Sequence, residues 1–320
     1  MPLPALIKTF LESNPLTLVD AGARGKIMHF PHLDSWINAH AFEADPDEAD
    51  KLRKSDHPFV SCIVHHYALS NREGKRIFHL AKQRSFSSFL EFDRDEFLKN
   101  FGRMKDAQQW INGFEKEKSI EINCSQLDTT FTDQKPNPEF HSEFIINFLK
   151  LDTQGTEMEI LEGAKKLLQL NKVGIIETEV NTQPVYKGQP SFSVIDQFLR
   201  SQGFLLVDYR VNYHAFSAVS SKNALIENPR PASGGDAVYV LDMNRLPENK
   251  RKVFAIQSAL FLAHRAYLSM ADYLFRAFGN FDDKLIDEIF ITLNQQSSEE
   301  KKKNFARKWF PPVMIDWLKS

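Results

Sequence analysis

The chain has 320 residues, 40 of them basic and 42 acidic, for a net charge of −2, with 42 % apolar and 26 % charged residues. That balance excludes a disordered chain, and the charge excludes a global basic field that would hold nucleic acid by its phosphates. Two cysteines, Cys62 and Cys124, exclude a disulfide framework, and glycine is scarce at 13 copies against 27 phenylalanines.

The N-terminal stretch MPLPALIKTFLESNPL has no basic start ahead of a long apolar run, so no signal peptide is expected. Polar residues break every long apolar stretch, so no transmembrane helix is expected. Few cysteines fit a reducing compartment, and the cytoplasm is the expected location.

Leu16–Ala21 (LTLVDA) is a β-like run that ends in Asp20-Ala21-Gly22-Ala23-Arg24-Gly25, with a helical pattern expected after it. His40–Glu43 is a second short strand, and Pro46 then opens a charged helix, DPDEADKLRK. Phe59–Tyr67 is a third strand, rich in β-branched residues. This is the β-α-β-α-β rhythm of a parallel sheet with crossover helices.

Residues from about 70 to 145 interrupt the rhythm as an inserted β/α segment. Arg76–Leu80 and Ser119–Asn123 alternate as strands, one helix is expected over Asp93–Phe114, and KPNPEF is a loop. The rhythm resumes with a strand at Ile145–Leu151, a helix at Thr156–Leu170, a strand at Val173–Val180 and a helix at Ser191–Ser201 capped by Gly203. Strands at Phe204–Tyr209 and Ala237–Leu241 close the series, with ENPRPASGG as a loop between them. After Pro247 the remaining residues carry helical periods, and EEKKK at Glu299–Lys303 is a solvated charge run. The expected division is therefore 1–245 as a catalytic α/β domain and 246–320 as a helical extension.

Four motifs carry chemistry. VDAGARG ends a strand in a carboxylate and turns through glycines, which is a nucleotide-binding device. The dinucleotide pattern G-x-G-x-x-G is absent, and Asp20 would repel a pyrophosphate while attracting a cationic amine. A ligand carrying an amino acid, such as S-adenosylmethionine, fits better than NAD. In AFEADP, Glu43 lies 23 residues after Asp20 at a strand end, where a carboxylate accepts bonds from ribose hydroxyls. In FLKLDTQGTEMEILEGA, Asp152 emerges from an apolar strand at the edge where ligands bind, while Thr156 and Glu159 have capping-box spacing. In IIETEVNTQPVYKGQPSF, Glu179 emerges at the same edge.

In order and spacing these motifs resemble the FkbM-type methyltransferase family from about Leu16 to Leu241. HHYALSNREGKRIFHL, SFSSF, INCSQLDTTF and GGDAVYV are similar to its other signatures, and FLKLDTQGTEMEILEGA is the most specific match. The resemblance implies a class I S-adenosylmethionine-dependent methyltransferase fold, Rossmann-like, with a seven-stranded sheet. It also implies methyl transfer to an oxygen of a small molecule, a sugar or a secondary metabolite. Lys26 stands where many members carry glycine, Arg24 where many carry asparagine, and Gln154 where many carry glutamate, so no catalytic role is expected at 154.

The expected catalytic residues are Asp152 and Glu179, with Asp152 first as general base. The expected cofactor contacts are Glu43 on the ribose, Gly22 and Gly25 by backbone approach, Asp20 on the amino group or in shaping the loop, and Ser88. For Ser88, capping its own loop is the competing role. His65 and His66 point to opposite faces of a strand, and His29 and His32 have helix-compatible spacing with no acid set nearby, so no metal is expected. The aromatic tail (Phe254, Phe261, Tyr267, Tyr273, Phe275, Phe278) is read as helix core, with a lid over the acceptor or a homo-oligomer interface as the alternatives. Two other functions compete: a Rossmann oxidoreductase using NAD, and a non-catalytic assembly module working through the helical tail.

Overall fold

The computed structural model describes residues 2–104, 106–132, 144–213 and 232–294. A first helix, α1 (Ala5–Ser13), buries Ile7 and Leu11 and leads into β1 (Leu16–Ala21). β2 (Ile37–Phe42), helix α2 (Pro46–Lys54) and β3 (Ser61–His65) follow. Asp45 caps α2 by accepting the Asp47 N–H, and Pro46 sits in its first turn, as the sequence requires. β4 (Ala68–Leu69), β5 (Gly74–Ala81) and β6 (Lys116–Ser125) make a separate three-stranded sheet. The main sheet continues with β7 (Ile146–Leu151), β8 (Val173–Asn181), β9 (Phe204–Tyr213) and β10 (Ala232–Leu241).

The main sheet has seven strands in the order β3-β2-β1-β7-β8-β10-β9. β1 is parallel to β2 and β7, and β10 is antiparallel to both its neighbours. The expected α/β sheet is therefore present. Its strands differ in length from the sequence reading because ladder pairing, not local composition, sets where each ends. Central parallel strands are buried on both faces and read as apolar runs. β7 obeys this apart from Asn147 and Lys150, and both exceptions have partners.

Three expected helices differ. No helix follows Gly25: the chain runs irregularly to a single 3₁₀ turn at Asp34–Trp36. Its polar backbone is satisfied by side chains, as Met28 N–H donates to Asp20 and Phe30 N–H to Asp34. The helix expected over Asp93–Phe114 is two, α3 (Arg94–Phe101) and α4 (Ala107–Phe114), with a turn starting at Gly102 between them. Beyond α5 (Leu127–Thr132), the helix expected over Thr156–Leu170 is also two, α6 (Glu157–Glu162) and α7 (Lys165–Gln169). The break falls at Gly163, where a Cβ would come 2.2 Å from the Ser70 carbonyl oxygen. Asp128 then accepts the N–H groups of Lys166 and Leu167, capping the second piece. The capping box does not form either. Thr156 Oγ1 bonds to Thr153, and Glu159 pairs with Arg76 of β5.

Helix α8 (Phe192–Ser201) packs on the sheet, with Gly203 at φ +90° ending it. After β10 come α9 (Glu248–His264), α10 (Leu268–Leu274) and α11 (Asp283–Leu293). Residues 254–263 of α9 are all buried, the mark of a helix inside a core. Phe261 meets Phe30 edge-on at 4.7 Å and lies 5.3 Å from Phe148 of β7. Gln257 donates to the carbonyls of Asn14 and Pro15 and accepts from Asn147, tying α9 to β7 and to the start of β1. These helices and the main sheet thus share one hydrophobic core. KPNPEF, most of ENPRPASGG, and EEKKK lie outside the described residues.

Candidate active site

The floor of the site forms where β1 and β7 end side by side. Their register sets Asp20 opposite Lys150. Asp20 is fully buried; Oδ2 accepts the Met28 N–H at 2.7 Å and Oδ1 lies 3.1 Å from Lys150 Nζ. Lys150 Nζ also reaches the Gly22 carbonyl at 3.3 Å and Asp152 Oδ2 at 3.4 Å. Burial works against the ammonium, but Asp20 and Asp152 outweigh it and hold its pKa above the ordinary lysine value. A buried ion pair persists only where such extra hydrogen bonds satisfy both partners.

This changes two expectations. Asp20 does not line the cavity described below, since both its oxygens are engaged in shaping the turn. Gly25 sits at φ +73° within that turn and is also off the cavity. Gly22 does line it, at φ +82°, and a Cβ there would fall 1.8 Å from the Asp152 carbonyl oxygen. Glycine is required here first by the approach of β7's exit to the turn.

Glu43 follows β2 and lines the cavity at 8 % exposure. Its Oε1 accepts the Asp45 N–H at 2.8 Å, and its other oxygen has no hydrogen-bond partner among the described residues. Burial pushes this carboxyl up to about 7, against the opposing pull of that N–H and of Arg24. Arg24 and Arg84 stand 3.6 and 3.9 Å from Asp45 on the same side of the cavity.

Asp152, Gln154 and Glu179 form one linked group. Gln154 Nε2 donates to Glu179 Oε2 at 2.8 Å and to Asp152 Oδ1 at 3.3 Å. Its Oε1 accepts from the Tyr186 hydroxyl at 3.1 Å. Gln154 holds φ +58°, an uncommon conformation outside glycine that fixes its amide between the two carboxyls. Burial, then the nearby Asp152 and Glu157, raise the Glu179 pKa well above the usual carboxyl value; burial also raises those of Glu157 and Tyr186. Ser88, expected on the cofactor, does not line the cavity. Its hydroxyl donates to the Gln154 carbonyl at 2.7 Å and accepts the Leu90 N–H, so it anchors the loop that carries Gln154.

A second wall comes from the insertion. Trp110, Phe86, Phe114 and Phe92 stack in series, with ring centroids 5.2, 4.2 and 4.5 Å apart and planes within 18°. Together with Phe97, Phe101, Met104, Ile111 and Tyr186 they form a hydrophobic cluster separate from the main core. Floor and wall enclose one cavity of about 1040 Å³, reached by Gly22, Glu43, Lys150, Asp152, Gln154 and Glu179 on one side and by Phe86, Trp110 and Phe114 on the other. No described residue of α9, α10 or α11 lines it. Phe254, Phe261 and Phe275 of that region are core, and Tyr273 is half exposed.

Sequence reading placed Glu43, Gly22, Asp152 and Glu179 at strand ends, and the fold brings all four to this cavity. It missed Lys150 and Tyr186 and set Gln154 aside. A lysine inside an otherwise apolar strand, matched by an aspartate in another, was the available signal for Lys150. His65, the last residue of β3, stacks on Phe42 and lies 3.1 Å from His40, while His66 falls just past the strand and faces Arg53, so the expected strand placement holds for His65 alone. Burial pushes His40 and His65 down to about 4. The helical spacing of His29 and His32 is not realised, since His32 holds φ +75° in an irregular segment. Among the described residues no group of three His, Cys, Asp or Glu is placed to hold a metal ion, and no helix is long and apolar enough to cross a membrane.

Among known proteins, the chain is 25 % identical over 206 residues to the 2-O-methyltransferase NoeI of Sinorhizobium fredii (strain NBRC 101917 / NGR234), covering 61 % of this chain and 79 % of that protein. A solved structure of methyltransferase FkbM from Methylobacillus flagellatus KT matches with TM-score 0.31 and 11 % identity, over 71 % of this chain and 43 % of that one, so the chain spans less than half of its length. The methyltransferase FkbM domain family matches residues 21–206, a span running from the end of β1 into β9 and taking in both floor and wall, and to that family the chain belongs.

Proposed function

We propose that the protein is an S-adenosylmethionine-dependent methyltransferase that methylates a hydroxyl oxygen of a small-molecule acceptor, a sugar or a secondary metabolite. One observation carries this reading: Glu43 and the Asp152–Gln154–Glu179 group meet in one cavity at the end of the parallel strands. Ligands of open α/β sheets bind at that edge. The strand order, with β10 reversed, supports a class I methyltransferase arrangement. A relative's name, 2-O-methyltransferase, supports oxygen as the methyl acceptor. Both described cysteines are free, which agrees with a cytoplasmic setting.

The site fits the cofactor. Glu43 has an oxygen available to take ribose hydroxyls, and Gly22 leaves backbone open to the cavity. Lys26, also on the cavity with its Nζ 2.8 Å from His29 Nε2, is a cation that could reach the cofactor's carboxylate through its remaining N–H groups. The bound cofactor supplies an activated methyl group, so the chain's own work is to position the acceptor and manage one proton. Asp152 holds the acceptor hydroxyl and takes its proton. Gln154 and Lys150 fix the Asp152 carboxyl from two sides. Glu179, joined to Asp152 through the Gln154 amide, is the second acid of the pair.

A dinucleotide oxidoreductase is disfavoured by the missing helix after Gly25, because no helix N-terminus is there to receive a pyrophosphate. Calorimetric titration of S-adenosylhomocysteine beside NADH tests the choice. Saturable binding of the first and none of the second is expected. The reverse pattern overturns the proposal.

A further inference from the structure

Resting on that reading, we infer that the acceptor presents its hydroxyl on an apolar, planar body, and that the ring stack ending in Phe86 and Trp110 seats this body while the floor holds the hydroxyl. Single-ligand pockets commonly hold roughly 300–1,000 Å³, and this cavity of about 1040 Å³ lies just above that range. That leaves room for a second molecule beside a cofactor. The remaining space is not evenly polar. Asp152, Gln154 and Glu179 supply its acids and amide, while the insertion supplies Phe86, Phe97, Phe101, Met104, Trp110 and Phe114 as an apolar stretch, with Arg84, Ser85, Ser87 and Asp106 as its polar lining residues.

Rings held nearly parallel present flat faces and edges at fixed spacing, which suits another flat ring better than a hydrated, flexible chain. Phe97, Phe101 and Phe114 are 2–6 % exposed, so the wall is braced from behind, while Trp110 is only partly buried. A polyhydroxylated ligand can meet these rings only through its C–H faces, and any hydroxyl turned towards them stays unpaired and costs binding. An apolar body instead gains by leaving water.

The test uses two probes that share one sugar and differ only in the group attached: 2-naphthyl β-D-glucopyranoside and methyl β-D-glucopyranoside. Each is titrated calorimetrically into the protein with and without saturating S-adenosylhomocysteine. The naphthyl glycoside is expected to bind at least about tenfold more tightly, from stacking and burial of its rings. Trp110→Ala should remove most of that preference, and Trp110→Phe should keep it, with S-adenosylhomocysteine affinity within about twofold of the parent in both. Circular dichroism of the two variants separates a lost wall from a lost fold, and the Phe variant carries the test if the Ala variant unfolds. Equal affinity for the two glycosides overturns the inference. So does a tenfold loss of S-adenosylhomocysteine binding in Trp110→Ala, which would assign the wall to the cofactor. If the naphthyl preference stands and S-adenosylhomocysteine fails to bind, the methyltransferase reading fails and the wall's role does not.

Discussion

The floor and the wall of the cavity are held in place by different forces. On the floor, Asp20 and Lys150 face each other because β1 and β7 pair in one register, and Gly22 abuts the Asp152 carbonyl with no space for a side chain. On the wall, Phe86, Trp110, Phe114 and Phe92 are held by ring stacking between short helices and loops of the insertion. Backbone register is all or nothing, because a one-residue slip turns every side chain over. Packed rings tolerate exchange of similar shapes at small cost. On the proposed reading the two sides divide the labour: the floor fixes the chemistry, and the wall is the side free to vary in what it recognises.

The strongest way to break this comparison is Gly22→Ala. The added Cβ meets backbone on both counts, by its clash with Asp152 and by the positive φ. A loss of more than about 3 kcal/mol of stability is expected in chemical denaturation, with loss of S-adenosylhomocysteine binding. A tolerated alanine would show that the floor is not set by backbone contact. Asp152→Asn comes next. Removing a general base should lower kcat by about 10²–10⁴ while S-adenosylhomocysteine affinity changes by less than about threefold. An unchanged kcat moves the base to Glu179.

Glu43 sharpens the comparison through pH. Its pKa of about 7 in the free protein means that it is mostly protonated at pH 6 and mostly ionised at pH 8. Ribose hydroxyls donate to the ionised form, so S-adenosylhomocysteine affinity should rise about tenfold between those values, and Glu43→Gln should abolish the rise. The same shift has the opposite sign for stability. A carboxyl raised on folding binds more protons folded than unfolded, so its contribution falls as pH climbs from the unfolded value of 4.5 towards 7. A flat binding profile in the parent protein would remove Glu43 from the ribose.

The smallest effect is expected where the two sides are clasped together. Arg76 of the insertion pairs with Glu159 of α6, bonds Ser70 and lies over the Phe89 ring. Arg76→Ala should cost about 1 kcal/mol in denaturation. It should raise the acceptor KM more than it lowers kcat, because it loosens the wall relative to an intact floor. A larger loss in kcat than in KM would mean that the insertion also steers the floor.

Local sequence was enough for much of this. Apolar runs located the strands, Asp45-Pro46 announced α2, and carboxylates just past strands β2 and β7 put Glu43 and Asp152 at the binding edge. Period and capping rules failed where another part of the chain intervened. The helix expected after Asp152 breaks at Gly163, a position packed so closely on the Ser70 carbonyl that a side chain would not fit, and the helix expected after Gly25 is replaced by a segment bonded to Asp20 and Asp34. Glu159 has the spacing of a cap but is drawn to Arg76, 83 residues earlier.

What the sequence by itself determined is which residue types stand at the ends of strands, because alternation, glycine and proline act over a few neighbours. Only the tertiary structure decided that Lys150 pairs with Asp20 across 130 residues, that Gln154 bridges Asp152 to Glu179, and that aromatic rings spread from Phe86 to Tyr186 form one wall. Those contacts depend on sheet register and on the packing of an insertion against the sheet. Neither leaves a local periodicity, so the chemistry of the floor was legible only in part and the wall became visible only once the chain was folded.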